Sequence, residues 1–246
     1  MNRTPAGKEA KTDTASLPLG EPVADTSPAD PPKRQIYQGR FVRLVPVKPE
    51  QDVDELFSSA HGDAATEALW TYMPYGPFAD AGAMRSWLAG CAGSTDSLFL
   101  TVHNVENGRR VGMVSFLNFV AAARSVELGH IWYQPQAQRS SINTECVYLM
   151  LCEAFEAQRC RRVEWKCNAL NARSRNAALR LGFSFEGIFR QHLIVKGRNR
   201  DSAWFSMLDC EWPKVRTNME TWLYGEDPRP SLRELNADIV SRTSPA

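Results

Sequence analysis

Apolar and polar positions alternate in FVRLVPV (41–47), the period of a strand with one buried face. EQDVDELFSSA (50–60) changes to helical spacing at Val53, Leu56 and Phe57, and DAGAMRSWLAGCA (80–92) resumes helix. SLFLTVHN (97–104) and RRVGMVSFLNF (109–119) read as strands joined through Asn107-Gly108, a strong hairpin signal, and RSVELGHIWY (124–133) follows as another strand. Residues 146–158 then read as helix, RRVEWKCN (161–168) as strand, and 170–183 as a helix closed by Gly182 just beyond its last turn. Residues 183–212 read as two long strands around KGRNR (196–200), and 213–225 and 231–240 as terminal helical segments.

The resulting order is β-α-α-β-β-β-α-β-α-β-β. Strands pair first as hairpins, and a helix then crosses over between the fourth and fifth. That predicts one mixed α/β sheet, an α+β arrangement with flanking helices. Residues 1–34 are rich in Pro, Ala, Thr, Ser and Asp and nearly lack large apolar side chains, which predicts a disordered N-terminal tail. The domain is then expected over 35–212, with a C-terminal helical extension over 213–246.

Composition narrows the class. The 246 residues, 43% of them hydrophobic, suffice for one good-sized core. A formal net charge of +1 gives no global field toward nucleic acid or a membrane surface, and no apolar run is long enough to span a bilayer. The six cysteines form no C-x-x-C pair, and no histidine lies at ligand spacing from them, so no metal is expected and a reduced, cytoplasmic compartment is.

Two stretches carry candidate chemistry. QRSSINTE (138–145) turns from strand into helix without a glycine. A helix start offers about four free N–H groups and a partial positive charge, which suits a phosphate. Ser140, Ser141 and Asn143 also suit a plain capped helix start, so the turn alone leaves both readings open. The second stretch is NALNARSRNAALRLGFSFEG (168–187).

These two blocks resemble the GNAT superfamily of N-acetyltransferases, in the branch that includes the N-terminal acetyltransferases of ribosomal proteins, over roughly residues 36–215. Gln138 and Thr144-Glu145 match the family's Q/R-x-x-G-x-G/A turn and the T-E that follows it in this branch, with Ser141 and Asn143 in the two glycine positions. Asn171, Ser174, Gly182, Phe183, Glu186 and Gly187 match the branch's second block.

The resemblance implies acetyl-CoA as co-substrate and a mostly antiparallel sheet of about seven strands whose fourth and fifth members splay apart. It implies that pantetheine lies along Ile131, Trp132 and Tyr133 and meets Asn171. The pyrophosphate would sit on Gln138, Arg139, Ser140, Ser141, Ile142 and Asn143, with Arg173 at a phosphate. Ser174 is implied to aid the leaving sulfur. Glu127 is the favoured general base, with His192, an acceptor-side residue, as second candidate. On a regular strand Glu127 and His130 face opposite ways, and a bulge would change that. WTYMPYGPF (70–78) supplies an aromatic acceptor wall of Trp70, Tyr72, Tyr75 and Phe78. The implied activity is acetyl transfer to a primary amine by direct attack in a ternary complex. The acceptor is a small-molecule amine or a protein N-terminus, and the protein a monomer or homodimer. A non-catalytic acyl-CoA sensor or scaffold of the same fold is the alternative.

Overall fold

The computed structural model describes residues 17–240. One sheet holds eight strands: β1 (Tyr37–Gln38), β2 (Val42–Pro46), β3 (Leu98–Asn104), β4 (Arg110–Val120), β5 (Ser125–Tyr133), β6 (Arg162–Asn168), β7 (Ser184–Val195) and β8 (Arg198–Leu208). They lie in the order β1-β2-β3-β4-β5-β6-β8-β7, antiparallel except for the parallel β5–β6 pair. The strand beyond the expected seven is the two-residue β1, too short to leave a period in the sequence.

Helices cover both faces. α1 (Pro49–Ala60) and α3 (Ala81–Ala92) pack Val53, Leu56, Met84 and Leu88 against Phe99, Met113 and Trp132. α2 (Ala64–Glu67) lies between them in the chain. On the other face α4 (Ser141–Cys152), α5 (Ala172–Arg180) and α6 (Trp212–Tyr224) bury Cys146, Val147, Met150, Ala178, Trp212, Val215 and Met219 against Leu100, Val102, Val114 and Phe116. Two-sided cover explains why LFLTVHN reads as a nearly continuous apolar run: alternate residues enter alternate cores. Two short helices, α7 (Leu232–Leu235) and α8 (Ala237–Val240), end the described chain, and Leu232 and Ile239 join the second of these cores. The helices beyond residue 212 therefore help build the domain's main core. No helix among the described residues is long and apolar enough to cross a membrane.

Residues 17–34 form no helix or strand, yet they touch the domain. The Ala29 N–H donates to the Ala121 carbonyl at 3.1 Å, Arg124 Nη1 donates to the Asp25 carbonyl at 2.8 Å, and Ala29 is buried. The rest of the expected tail, residues 1–16, and residues 241–246 of the extension lie outside the described residues.

α4 begins at Ser141, five residues before the apolar run that announced it. The Ser140 hydroxyl caps it, accepting the Ile142 N–H at 3.3 Å. The polar first turn is buried because it has partners. Glu145 accepts backbone N–H groups from Arg40, Phe41 and Val42 at 2.9, 2.6 and 2.7 Å and the Tyr224 hydroxyl at 2.9 Å. Thr144 accepts from Arg180 at 2.9 Å. Gly39 makes room for this anchor, since a Cβ there would stand 2.5 Å from the Glu145 carboxyl.

Two irregularities open the sheet. β5 pairs with β6 only from Ser125↔Arg162 to Leu128↔Trp165, while β6 stays paired with β8 out to Asn168↔Ser202. From Gly129 onward β5 has lost its neighbour on that side. In the β4–β5 ladder Met113 faces Trp132 while Ser115 faces Gly129, so two steps along β4 match three along β5. That is a bulge, and His130 sits in it with φ +51°.

Candidate active site

The parting of β5 and β6 leaves a cleft of about 300 Å³. Its walls come from β5 (Glu127, Gly129, His130 and Ile131), β6 (Trp165 to Asn168) and the start of α5 (Asn171, Ser174). β7 and β8 supply His192, Arg200 and Ser202, and the loop after α2 supplies Tyr72 to Pro74. Of the residues expected from sequence, the cleft brings together Glu127, Ile131, Asn171, Ser174, Tyr72 and His192.

Glu127 is 5% exposed. Its Oε2 lies 2.6 Å from Lys166 Nζ and accepts Asn118 Nδ2 at 2.7 Å, while Oε1 has no hydrogen-bond partner among the described residues. Burial pushes the Glu127 carboxyl above its ordinary value, and Lys166 and Asn118 pull against that without cancelling it. The result is a carboxylate fixed at one oxygen, with the other open and a raised proton affinity.

The bulge puts His130 into the same cleft as Glu127, although the two would face opposite ways on a regular strand. The His130 ring stacks on Tyr75 at 5.5 Å, and its Nδ1 is 3.2 Å from the Tyr75 hydroxyl. Burial, with Arg200 nearby, lowers its pKa to about 4, so the ring is neutral at pH 7. Burial also lifts the Tyr75 phenol well above its ordinary range.

Ser174 lies in the first turn of α5. Asn171 caps that helix, its Oδ1 accepting the Ser174 N–H at 3.1 Å, which leaves the Asn171 amide Nδ2 for other partners. Trp165 Nε1 donates to Ser174 Oγ at 3.0 Å. With its acceptor side filled by the indole, the hydroxyl can donate its own proton into the cleft. The Cys167 thiol also lines the cleft, raised by burial and partly lowered by Ser174.

The residues expected to cradle pyrophosphate are absent from this cleft's lining and gather at the start of α4. Gln138 Nε2 donates to the Tyr133 carbonyl at 3.0 Å, and the Ser140 hydroxyl donates to the Ala137 carbonyl at 2.7 Å. Ser141 and Asn143 are ordinary helical residues. The left-handed position is Arg139, with φ +58°. Ile142 is buried in the core, and Asn143 Oδ1 is buried without a partner. Arg173 is exposed in the first turn of α5.

Trp132 and Tyr133 point into the two cores rather than the cleft. The aromatic stretch divides. Tyr72 reaches the cleft and donates its hydroxyl to the Leu170 carbonyl at 3.3 Å. Trp70 is fully buried, donating Nε1 to the Ala60 carbonyl at 2.9 Å, with Tyr75, Phe78 and Trp132 around it. It forms core under the site, not acceptor wall. Phe78 lines a second, shallow cleft with Phe57 and His61. His192 lines the cleft, with Nδ1 2.9 Å from Ser202 Oγ.

Sequence reasoning passed over Asn118, Lys166 and Arg200. Lys166 and Arg200 have the look of solvated strand charges, and only the opening of the sheet makes them cleft residues. Elsewhere Glu186, a residue of the second block, takes two hydrogen bonds from Arg162 at 2.7 and 2.6 Å and one from Ser206 at 2.7 Å, so it braces β6, β7 and β8 away from the cleft.

Comparison with known proteins places the fold in a family. The acetyltransferase (GNAT) domain family matches residues 42–184. A GCN5-related N-acetyltransferase from Brucella melitensis is 36% identical, with a TM-score of 0.82 over 86% of this chain and 98% of that one. Mycobacterium smegmatis RimJ, solved with CoA-disulfide, shares the fold at 22% identity and a TM-score of 0.63, over 74% of this chain and 88% of that one. YdaF of Bacillus subtilis, whose name proposes a ribosomal N-acetyltransferase, is 31% identical over 106 residues, 43% of this chain and just 57% of YdaF. The chain belongs to the GNAT family of N-acetyltransferases.

Proposed function

We propose that the protein transfers an acetyl group from acetyl-CoA to a primary amine by direct attack in a ternary complex, in the cytoplasm, with a protein N-terminus as the favoured acceptor. The observation that carries this reading is the unpaired run of β5 from Gly129, opening onto Glu127 on one side and Ser174 on the other. A free strand edge suits the amide-bearing pantetheine arm, which can pair with it as an added strand would. The Asn171 amide, which lines the same cleft, supports this reading, and the α4 start, with Arg139 beside it, suits the pyrophosphate. The names of YdaF and RimJ favour the acceptor class and the CoA ligand respectively.

In this reading the free Glu127 oxygen takes the proton from the attacking amine, directly or through a water. Backbone N–H groups near the bulge polarise the carbonyl. Ser174, its acceptor side held by Trp165, donates toward the leaving sulfur.

Isothermal titration with acetyl-CoA, followed by thiol release over a panel of peptides and amines, tests the proposal. Saturable binding with release above background is expected. No binding at millimolar acetyl-CoA overturns it. Tight binding without release from any acceptor replaces it with an acyl-CoA sensor.

A further inference from the structure

Apart from two histidines, the charged residues lining the cleft are Glu127, Lys166 and Arg200. Lys166 and Glu127 neutralise each other at 2.6 Å, and the Lys166 ammonium also lies 4.3 Å over the Trp204 ring. Arg200 is left over. It is only partly exposed, its Nε is buried without a hydrogen-bond partner, and no carboxylate among the described residues lies within ion-pair distance of its guanidinium. Acidic neighbours do not compensate. Asp201, the next residue, accepts instead from the Gln191 N–H at 2.7 Å and from Asn199 at 2.9 Å.

A half-buried guanidinium without an anion is costly, and proteins ordinarily pair such groups. Desolvation accordingly lowers the Arg200 pKa, and Cys167 and Glu127 offset this only in part. Arg200 lies on β8 beside Ser202 and opposite Leu193 of β7, on the His192 and Tyr72 side of the cleft. Strand alternation puts Arg200 and Ser202 on one face of the sheet with Asn168 and Lys166, and Trp165, which holds Ser174, on the other.

We propose that Arg200 is a specificity-determining residue that pairs with a carboxylate carried by the acceptor close to the amine that is acetylated. The inference rests on the acetyltransferase reading above and names its substrate class. The guanidinium fork matches a carboxylate with two parallel hydrogen bonds, which fixes the acceptor's orientation as well as its charge. The carboxylate is either an acidic side chain near a peptide N-terminus or the α-carboxylate of a free amino acid. Polycationic acceptors such as polyamines and aminoglycosides are disfavoured by the same uncompensated charge.

The test reads both binding and turnover. With CoA present, N-acetylated peptides differing only by Glu or Gln at the second residue are titrated into the protein, and N-acetyl amino acids are compared with their carboxamides. Acceptor kcat/KM is measured on the unacetylated forms. The carboxylate is expected to win by about tenfold or more in one of the two arms, and which arm does so identifies its source. Arg200→Gln is expected to erase that preference and Arg200→Lys to restore some of it, with CoA affinity serving as the folding control. Equal affinity for acid and amide in both arms, or a preference that survives Arg200→Gln, overturns the proposal. Acid-selective binding without turnover would instead support the carboxylate site and count against the acetyltransferase reading.

Discussion

Lys166 Nζ lies 2.6 Å from Glu127 Oε2, across two strands that separate just beyond Leu128. Burial raises the proton affinity of Glu127, and the like charge of Glu164 directly opposite adds to it. Lys166 reaches back from two residues farther along β6 and acts as a brake on the basicity so created. In the proposed mechanism, removing it should make Glu127 a stronger base that deprotonates at higher pH.

Lys166→Met is accordingly expected to move the acidic limb of the kcat/KM profile upward in pH. Glu127→Gln is expected to lower kcat/KM by about 10²–10⁴, the usual range for a lost general base, and to remove that limb. Profiles of the three proteins over pH 4–8 check both statements. An unmoved limb in Lys166→Met, or wild-type rates in Glu127→Gln, would assign the base elsewhere.

His130 makes a stability prediction independent of catalysis. Its folded pKa of about 4 lies below the ordinary 6.5. Between those values the unfolded chain binds a proton that the folded chain refuses, so stability falls as pH drops through the window. At about 1.4 kcal/mol per pKa unit the full effect is about 3.5 kcal/mol, complete below pH 4. His130→Asn removes the titration with a residue that tolerates φ +51°. Urea denaturation at pH 7, 6, 5 and 4 should show a shallower loss in the variant. An identical slope would assign the acid sensitivity to other groups.

Seven of the eight strands and the longer helices are legible in the sequence: β2 by a period of two, β3 by an apolar run that the two cores bury from both sides, and α1 by helical spacing of its apolar residues. Asn171 and Ser174 of the second block both line the cleft, and the cap that positions them has a local signature in the sequence. The bulge at His130 leaves no trace: nothing in VELGHIWY marks where the ladder gains a residue. Trp70 defeats sequence reading for a related reason. Aromatic density in WTYMPYGPF signals burial but not which face is buried. Gly76, at φ +63°, closes against the Trp70 ring, where a Cβ would meet it at 2.6 Å, and seals that side chain into the core. Arg200 becomes legible only where β5 and β6 separate, because its burial is a property of three strands together.

Glu145 shows how a polar residue in a helix's first turn can organise a distant strand. Its carboxylate gathers three consecutive N–H groups at residues 40–42, tying α4 to the bend before β2. Glu145→Gln replaces one accepting oxygen by a donor and sets it against those N–H groups. A loss of about 2–4 kcal/mol is expected, since hydrogen bonds to charged groups contribute about 1.5–3 kcal/mol each and their loss leaves buried donors unpaired. Gly39→Ala should destabilise by about 1–3 kcal/mol through the crowding it forces on the same carboxyl. Because both changes act at one contact, the double variant should lose less than the sum, measurable by chemical denaturation. Strict additivity would mean that Gly39 and Glu145 do not share this contact in solution.

Ser174 can be tested for two roles at once. Ser174→Ala leaves Trp165 Nε1 without its acceptor in the cleft wall, which is expected to cost about 1–2 kcal/mol of stability and to change the environment of that indole. If the hydroxyl also protonates the leaving sulfur, kcat should fall by about tenfold to a hundredfold with little change in the KM for acetyl-CoA, because the bond forms as charge develops rather than on binding. Ser174→Thr keeps the hydroxyl and should recover some of kcat, which a purely structural role tied to side-chain size would not produce. The two effects separate cleanly in steady-state kinetics run beside denaturation curves. A stability loss with an unchanged kcat would leave Ser174 as the indole's partner alone and assign leaving-group assistance to another donor of the cleft, such as the Asn171 amide.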